Sequence, residues 1–269
     1  MKHFINIKDL PYKSLRKILS DTKKRKDLRK KLKTLEIDKD NPLKGILLIQ
    51  MFEKSSLRTR LSFYLAIRQL GGSALTLRPD ELHLSKGGES LSDTAKILST
   101  YGDIFVLRTD NEKKLNSFKK FLSIPLINGL SPNSHPAQIL SDIFTIEEIT
   151  KKNISKLNIC WIGDSNNVLN SLIEASIKFS FKLNIGCPKN YSPPYEMLRM
   201  IKQNSKKIKI FNNPKVAIKN ADVVLTDKVI SMNDKVNKKK KIKDFLNFKI
   251  NSKLMSCLLY TSPSPRDDE

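Results

Sequence analysis

Five short segments of this 269-residue chain carry side chains whose types and spacing could do chemistry. The first is Ser55-Ser56-Leu57-Arg58-Thr59-Arg60, where hydroxyls and two guanidinium groups share one turn between an apolar run and an amphipathic segment. If a helix starts there, its open N–H groups and positive dipole end join those side chains, and the turn suits an anion such as phosphate. Arg58 can grip phosphate oxygens bidentately. An ordinary Ser cap followed by solvated arginines has the same appearance. The second segment is Arg108, just past the apolar run Ile104-Phe105-Val106-Leu107; an Arg at that place is otherwise a surface charge. The third, His135-Pro136-Ala137-Gln138, opens a long helical pattern. His135 and Gln138 fall on one side of a helix start and could hydrogen-bond a small amide-like group. A plain helix cap by His135 is the alternative.

The fourth segment, Trp161-Ile162-Gly163-Asp164-Ser165-Asn166-Asn167-Val168, is a strand-to-helix turn. It lacks the repeated glycines of a dinucleotide fingerprint. Its adjacent asparagines suit hydrogen bonds to an amino-acid zwitterion. The fifth is Thr226-Asp227-Lys228-Val229-Ile230-Ser231-Met232, in which Asp227 is a natural partner for an ammonium group or else an ordinary loop acid. The three histidines (3, 83 and 135) and three cysteines (160, 187 and 257) show no metal-ligand spacing. The odd, widely separated cysteines argue against a disulfide framework and for a reducing, cytosolic setting.

Strand–helix alternation positions these segments. Residues 8–34 read as a helix with Leu10, Leu15, Ile18 and Leu19 on one side and Lys/Arg elsewhere. Residues 45–52 read as a buried parallel strand, followed by a helix with Leu61, Leu65, Ile67 and Leu70 apolar and Gly71-Gly72 as its stop. Further strands are expected at 73–77, 104–107 and 125–128, with a helix at 91–101. A long helix from Pro136 to Ile149 leads to the polar break Lys151-Lys152-Asn153. The alternation then restarts, with strands at 157–162, 182–187 and 221–226 and a helix at 167–180. The fold class is α/β: two open, mostly parallel-sheet α/β domains joined by a long helix, at 1–149 and 150–256. In such sheets ligands bind beyond the carboxyl ends of the strands, which is where all five segments lie.

Apolar residues make up 39% of the chain and aromatics 7%, enough for folded cores, which excludes wholesale disorder. No apolar run approaches the roughly 20 residues of a membrane-spanning helix. Met1-Lys2-His3-Phe4 carries no apolar signal region, so a cytoplasmic location is expected. The formal charge is +23, with clusters at Lys23-Lys24-Arg25-Lys26 and Lys238-Lys239-Lys240-Lys241. The chain is also rich in Ile and Asn, and AT-rich coding supplies all three residue types. Solvated helix faces therefore account for the charge. A basic nucleic-acid-binding protein is the distant alternative, but no zinc finger, helix-turn-helix or RNA-binding aromatic motif accompanies the lysines.

The end of the chain reads differently. Cys257-Leu258-Leu259-Tyr260-Thr261-Ser262-Pro263-Ser264-Pro265-Arg266-Asp267 resembles the translation of a transposon-end sequencing adapter. Residues 257–269 are accordingly treated as an adapter-derived tail. The native sequence is expected to run past Ser256 into codons not present here.

Taken in order, the motifs resemble the aspartate/ornithine carbamoyltransferase family over essentially residues 1–256. Phe52-Glu53-Lys54-Ser55-Ser56-Leu57-Arg58-Thr59-Arg60 is similar to the family's carbamoyl-phosphate signature. Gly88-Glu89-Ser90-Leu91-Ser92-Asp93-Thr94-Ala95, Asn128-Gly129-Leu130 and His135-Pro136-Ala137-Gln138 follow in the family's order. The turn at 163–167 resembles its Gly-Asp-Gly-Asn-Asn. Asp227 with Ser231-Met232 resembles the ornithine-binding segment that separates ornithine enzymes from aspartate ones.

The resemblance implies carbamoyl transfer from carbamoyl phosphate to the δ-amine of L-ornithine, in arginine biosynthesis, with no metal or organic cofactor and no nucleic-acid or membrane partner. It implies that Ser56, the Leu57 backbone, Arg58 and Thr59 hold phosphate. Arg108 and His135 would polarise the carbonyl oxygen, and Gln138 would bind the carbamoyl amide. Asn167, Asp227, Ser231 and Met232 would hold ornithine. The family is trimeric, with a neighbour's loop closing each site; residues 82–90 are the candidate loop, and Lys86 within it stays unassigned. Leu57, Ala137 and Asn233 depart from the family's usual Thr, Cys and Gly. Leu57 keeps a modified ornithine open as substrate, and aspartate is the other alternative. The family's His-Cys-Leu-Pro loop, a later Arg and its final helix are not found, so residues 1–269 as written are expected to be inactive or nearly so.

Overall fold

The computed structural model describes residues 3–79, 88–230 and 237–256. The chain divides into two compact units, Met1–Ala137 and Gln138–Glu269. Each is built on a four-stranded parallel sheet covered by helices.

In the first unit the elements run α1 (Tyr12–Leu28), β1 (Leu47–Phe52), α2 (Leu57–Gln69), β2 (Ser73–Leu77), α3 (Leu91–Tyr101), β3 (Ile104–Arg108), α4 (Glu112–Phe121) and β4 (Leu126–Leu130). The sheet order is β2-β1-β3-β4. The nearly unbroken apolar run of β1 follows from this central place, because both of its faces are covered. Ile49 and Met51 point into a core with Ala95, Leu98, Phe105, Leu107, Leu115 and Phe118. Leu48 and Phe52 face the other way, against Ile67, Phe63 and Val106. Order 2-1-3 means the chain leaves β1 to one side and returns on the other, so β1 and β3 flank a topological switch point.

The expected helix over 8–34 is shorter. Pro11 is its N-cap, and α1 ends at Leu28. Arg25, in its last turn, and Arg29, just past its end, are turned onto Asp38, and Arg25 also onto Asp40 at 2.9 Å. Those ties fold the following chain back rather than extending the helix. Leu15 and Leu19 are buried as expected, whereas Ile18 is 40% exposed. Likewise α2 buries Ile67 but leaves Leu61 46% exposed. Strand β2 lies at the sheet edge and is largely exposed.

The helix α5 (Pro136–Thr150) begins at the division between the units. In the second unit follow β5 (Asn158–Ile162), α6 (Asn167–Phe179), β6 (Lys182–Gly186), α7 (Tyr195–Gln203), β7 (Ile208–Phe211), α8 (Pro214–Ala217), β8 (Val223–Leu225), α9 (Lys238–Asp244) and α10 (Ser252–Met255). The sheet order is β7-β6-β5-β8, which places a second switch point between β5 and β8. Cys160 and Ile162 face a core with Ala217, Ile218, Phe245, Phe248 and Leu254. The expected strand over 221–226 forms only at its centre. The sequence reading places Lys241 on a solvated face, but the structure buries it at 2% exposure.

Gly71 ends α2 at φ +92°, and a Cβ there would sit 1.4 Å from Oδ1 of Asn41. Gly71→Ala should therefore destabilise the first unit by about 1–3 kcal/mol, from left-handed strain and the displaced Asn41. Urea denaturation of the two chains measures it; equal midpoints would show that the turn relaxes freely.

Candidate functional site

The parallel register sets Phe52 opposite Arg108, so β1 and β3 end at one level. The turn leaving β1 therefore meets the Arg108 side chain. Ser56 is the N-cap residue of α2, yet its side chain makes no capping bond. Its hydroxyl instead accepts from Nη1 of Arg108 at 2.9 Å, and Thr59 Oγ1 lies 3.4 Å from the same nitrogen. The plain Ser-cap reading of this turn is thus not what the structure holds. Arg108 is half-buried, and that burial lowers its guanidinium pKa from the usual value. Its Nε is buried without a hydrogen-bond partner. A cationic fork with an unsatisfied donor, beside two hydroxyls and a helix start, is suited to anionic oxygens. Leu57 and Arg58 are exposed at the same helix start.

A second set of contacts holds this turn from behind. The Glu53 carboxylate accepts from Lys114 Nζ at 2.5 Å and from the Thr109 hydroxyl. The Glu53 amide donates to the Arg108 carbonyl at 3.0 Å. Lys54 pairs with Asp110 at 2.9 Å, and both are well exposed. Strand β4 is shaped by Asn128, whose Oδ1 accepts from Leu130 N at 3.0 Å and whose Nδ2 donates to Ile5 O at 3.0 Å and Ser131 Oγ at 3.3 Å. The ladder slips by one residue here, pairing Arg108 with Leu130. Asn128-Gly129-Leu130 is thus a built irregularity that ends the strand. The chain then turns through Ser131 and Ser134 to His135, which is 7% exposed, and Gln138 lies in the first turn of α5.

In the second unit, Asn166 caps α6 by accepting from Val168 N at 3.0 Å and Leu169 N at 3.1 Å. Its Nδ2 donates to Asp227 Oδ2 at 2.8 Å, just past β8. The other Asp227 oxygen accepts from Lys228 N at 2.8 Å. A carboxylate offers about four acceptor positions, so this one keeps capacity for an ammonium. Asn167 is the first residue of α6 and half-buried.

Residues 2–148 match the family described as aspartate/ornithine carbamoyltransferase, carbamoyl-P binding domain, and residues 155–264 match its Asp/Orn binding domain. The chain belongs to the aspartate/ornithine carbamoyltransferase family. It is similar to the ornithine carbamoyltransferase of Oleidesulfovibrio alaskensis, 38% identical over 95% of this chain and 82% of that relative. That of Campylobacter hominis is 39% identical over the same shares of the two chains. Among solved structures, the anabolic ornithine carbamoyltransferase of Campylobacter jejuni superposes with a TM-score of 0.84 at 34% identity, covering 99% of this chain and 88% of that one. The Pyrococcus furiosus ornithine carbamoyltransferase gives 0.87 at 32%, covering 96% and 81%.

Within this carbamoyltransferase, the structure brings Ser56, Thr59 and Arg108 together by hydrogen bonds. Ser231, Met232 and Asn233, residues 82–87 of the candidate loop with His83 and Lys86, and the 257–269 tail lie outside the described residues. Burial pushes the Cys160 thiol up to about 12 and the Cys187 thiol to about 11, so neither is a thiolate nucleophile at neutral pH. Among the described residues no group of His, Cys, Asp and Glu is arranged to hold a metal, and no helix is long and apolar enough to cross a membrane. The sequence reading passed over Glu53, Thr109 and Lys114, and gave Asn166 no part beside Asp227. The Asn166 signal was present, since an Asn before an apolar helical run is a capping position. Glu53 had none, because its partner is 61 residues away.

Glu53→Ala should cost about 1.5–3 kcal/mol of stability by stranding Lys114 and Thr109. Lys54→Ala, which breaks the exposed pair, should cost about 0–1 kcal/mol. Chemical denaturation of both variants tests the contrast, and equal losses would contradict it.

Proposed function

We propose that this chain is an ornithine carbamoyltransferase, moving the carbamoyl group of carbamoyl phosphate to the δ-amine of L-ornithine. The observation that carries this reading is Arg108 hydrogen-bonded to the Ser56 hydroxyl at one switch point, in a chain 38% identical to a relative named for that activity. Residues 1–149 take carbamoyl phosphate and residues 150–256 take ornithine. Ser56, the Leu57 amide, Arg58 and Thr59 hold the phosphate. Arg108 and His135 draw charge onto the carbonyl oxygen, and Gln138 binds the carbamoyl NH2. Asn167, Asp227, Ser231 and Met232 hold ornithine, with Asn166 steadying Asp227.

The neutral δ-amine attacks the carbonyl carbon. A C–N bond forms, the C–O bond to phosphate breaks, and the amine's surplus proton leaves with phosphate. Positioning two reactants and stabilising the developing oxyanion and the departing phosphate account for the rate without a cofactor. Aspartate as acceptor would need cations for its second carboxylate, whereas the strand-end residue here is an acid, Asp227. An anabolic role in arginine biosynthesis agrees with the Campylobacter jejuni neighbour. A cytoplasmic homotrimer is the assembly this reading implies. The exposed apolar side chains of Leu57, Leu61, Tyr64 and Leu75 support association of copies through α2 and β2.

In the full-length enzyme, citrulline formation from ornithine and carbamoyl phosphate, with no carbamoylation of aspartate, is the expected result; the reverse preference would refute the substrate. Arg58→Ala should lower kcat/KM for carbamoyl phosphate by about 10- to 150-fold, the equivalent of 1.5–3 kcal/mol for a lost charge-assisted contact. Unchanged carbamoyl-phosphate kinetics would remove Arg58 from the site. Asp227→Asn should weaken ornithine and leave carbamoyl phosphate binding nearly intact in calorimetric titrations. Equal losses for both ligands would show that Asp227 does not serve the amine.

A further inference from the structure

The second unit contains a buried cation that the proposed chemistry does not use. Lys241, in α9, is 2% exposed. Its Nζ lies 2.5 Å from Oδ2 of Asp164 and 5.7 Å from the centroid of the Tyr191 ring. The helix that carries it is pinned in turn. The Tyr191 hydroxyl donates to Asp244 Oδ2 at 2.9 Å, and the Tyr191 ring packs on Phe245 with centroids 4.8 Å apart.

Asp164 belongs to the turn between β5 and α6. Its carbonyl accepts from Trp161 Nε1 at 3.1 Å and from Asn166 N at 3.1 Å. Gly163 starts this turn at φ +152°, a conformation open to glycine, with its amide donating to the Gly186 carbonyl at 3.0 Å. Two residues on, Asn166 holds Asp227.

We propose that Lys241 is a positioning residue for amine recognition: by anchoring Asp164 it fixes the Gly163–Asn167 turn, and through Asn166 it orients the Asp227 carboxylate. This rests on the ornithine reading above. Stability alone is a weak reason for the pair, because an apolar side chain of similar length fills such a place without the desolvation of an ammonium. A charged tether differs in being directional. It selects the one turn conformation that brings the Asp164 carboxylate to Lys241. Every contact in the chain lies between residues 161 and 245, away in the sequence from the residues assigned to carbamoyl phosphate, so its influence is expected on the amine.

The test compares Lys241→Met, Lys241→Arg and Asp164→Asn in the full-length enzyme. Lys241→Met should raise the KM for ornithine about tenfold or more, with the KM for carbamoyl phosphate within about twofold. Lys241→Arg should restore most of the loss. Amide hydrogen exchange over residues 163–167 should quicken in Lys241→Met and return towards wild type in Lys241→Arg, a readout independent of turnover. Should Lys241→Met not fold, Asp164→Asn, which keeps the side-chain shape and removes the charge, should raise the ornithine KM in the same direction. A folded Lys241→Met or Asp164→Asn with an unchanged ornithine KM would overturn the proposal, as would equal losses for both substrates. A wild-type enzyme that makes no citrulline would fail differently. It would refute the ornithine reading, and this inference with it, before any variant was compared.

Discussion

The register that sets Phe52 opposite Arg108 is the constraint from which the first site follows. A parallel pair brings two carboxyl ends to the same level, and a switch point leaves the space beyond them unfilled by a crossover helix. Only then can a side chain from β3 reach a hydroxyl on the turn leaving β1. A slip of one residue would carry Arg108 to the opposite face of the sheet. The surroundings oppose such a slip: Ile49, Met51, Phe105 and Leu107 share one core, and the Asn128 side chain fixes the end of β4 beside Arg108. Burial of a guanidinium is tolerable here because the Ser56 and Thr59 hydroxyls meet it. The Ser56 hydroxyl is thereby withdrawn from capping α2, so the cap makes no side-chain bond to the amides of the helix start.

The second unit applies the same geometry to the opposite charge. Trp161 is paired with Leu225, so β5 and β8 end within one residue of each other. The turn after β5 supplies an amide side chain, Asn166, and the segment after β8 supplies an acid, Asp227. One fold plan thus presents cation and hydroxyls in one unit and carboxylate in the other. The difference lies in the strand-end residues and not in the sheets.

Most of this architecture is legible in the sequence because parallel strands covered on both faces must be apolar runs. Leu47–Phe52 and Asn158–Ile162 stand out for that reason. The short strand Ile208–Phe211 does not, since Lys209 interrupts it. The end of α1 was also hidden, because it depends on Arg25 and Arg29 finding Asp38 across a loop. The candidate site residues are legible for a related reason: they follow the apolar runs directly. Their supports are not. Glu53 and Lys114 are 61 residues apart, and Asp164 and Lys241 are 77 apart. No local period announces such pairs, and Lys241 sits in a run of four lysines that reads as solvent-facing.

The charge of the chain sharpens the division of labour between the two units. A net charge of +23 gives a background field that draws anions such as carbamoyl phosphate and repels a cationic amino acid. At physiological ionic strength that field fades over about 8 Å, so contact groups decide what binds. The anion turn therefore works with the background, and exposed Arg58 adds to it. Amine recognition works against it and has to be local. Lys241, one residue of the lysine run that follows the Asp227 segment, is occupied by Asp164 and withdrawn from solvent. That ion pair holds its charge away from the solvent-facing part of the lysine run.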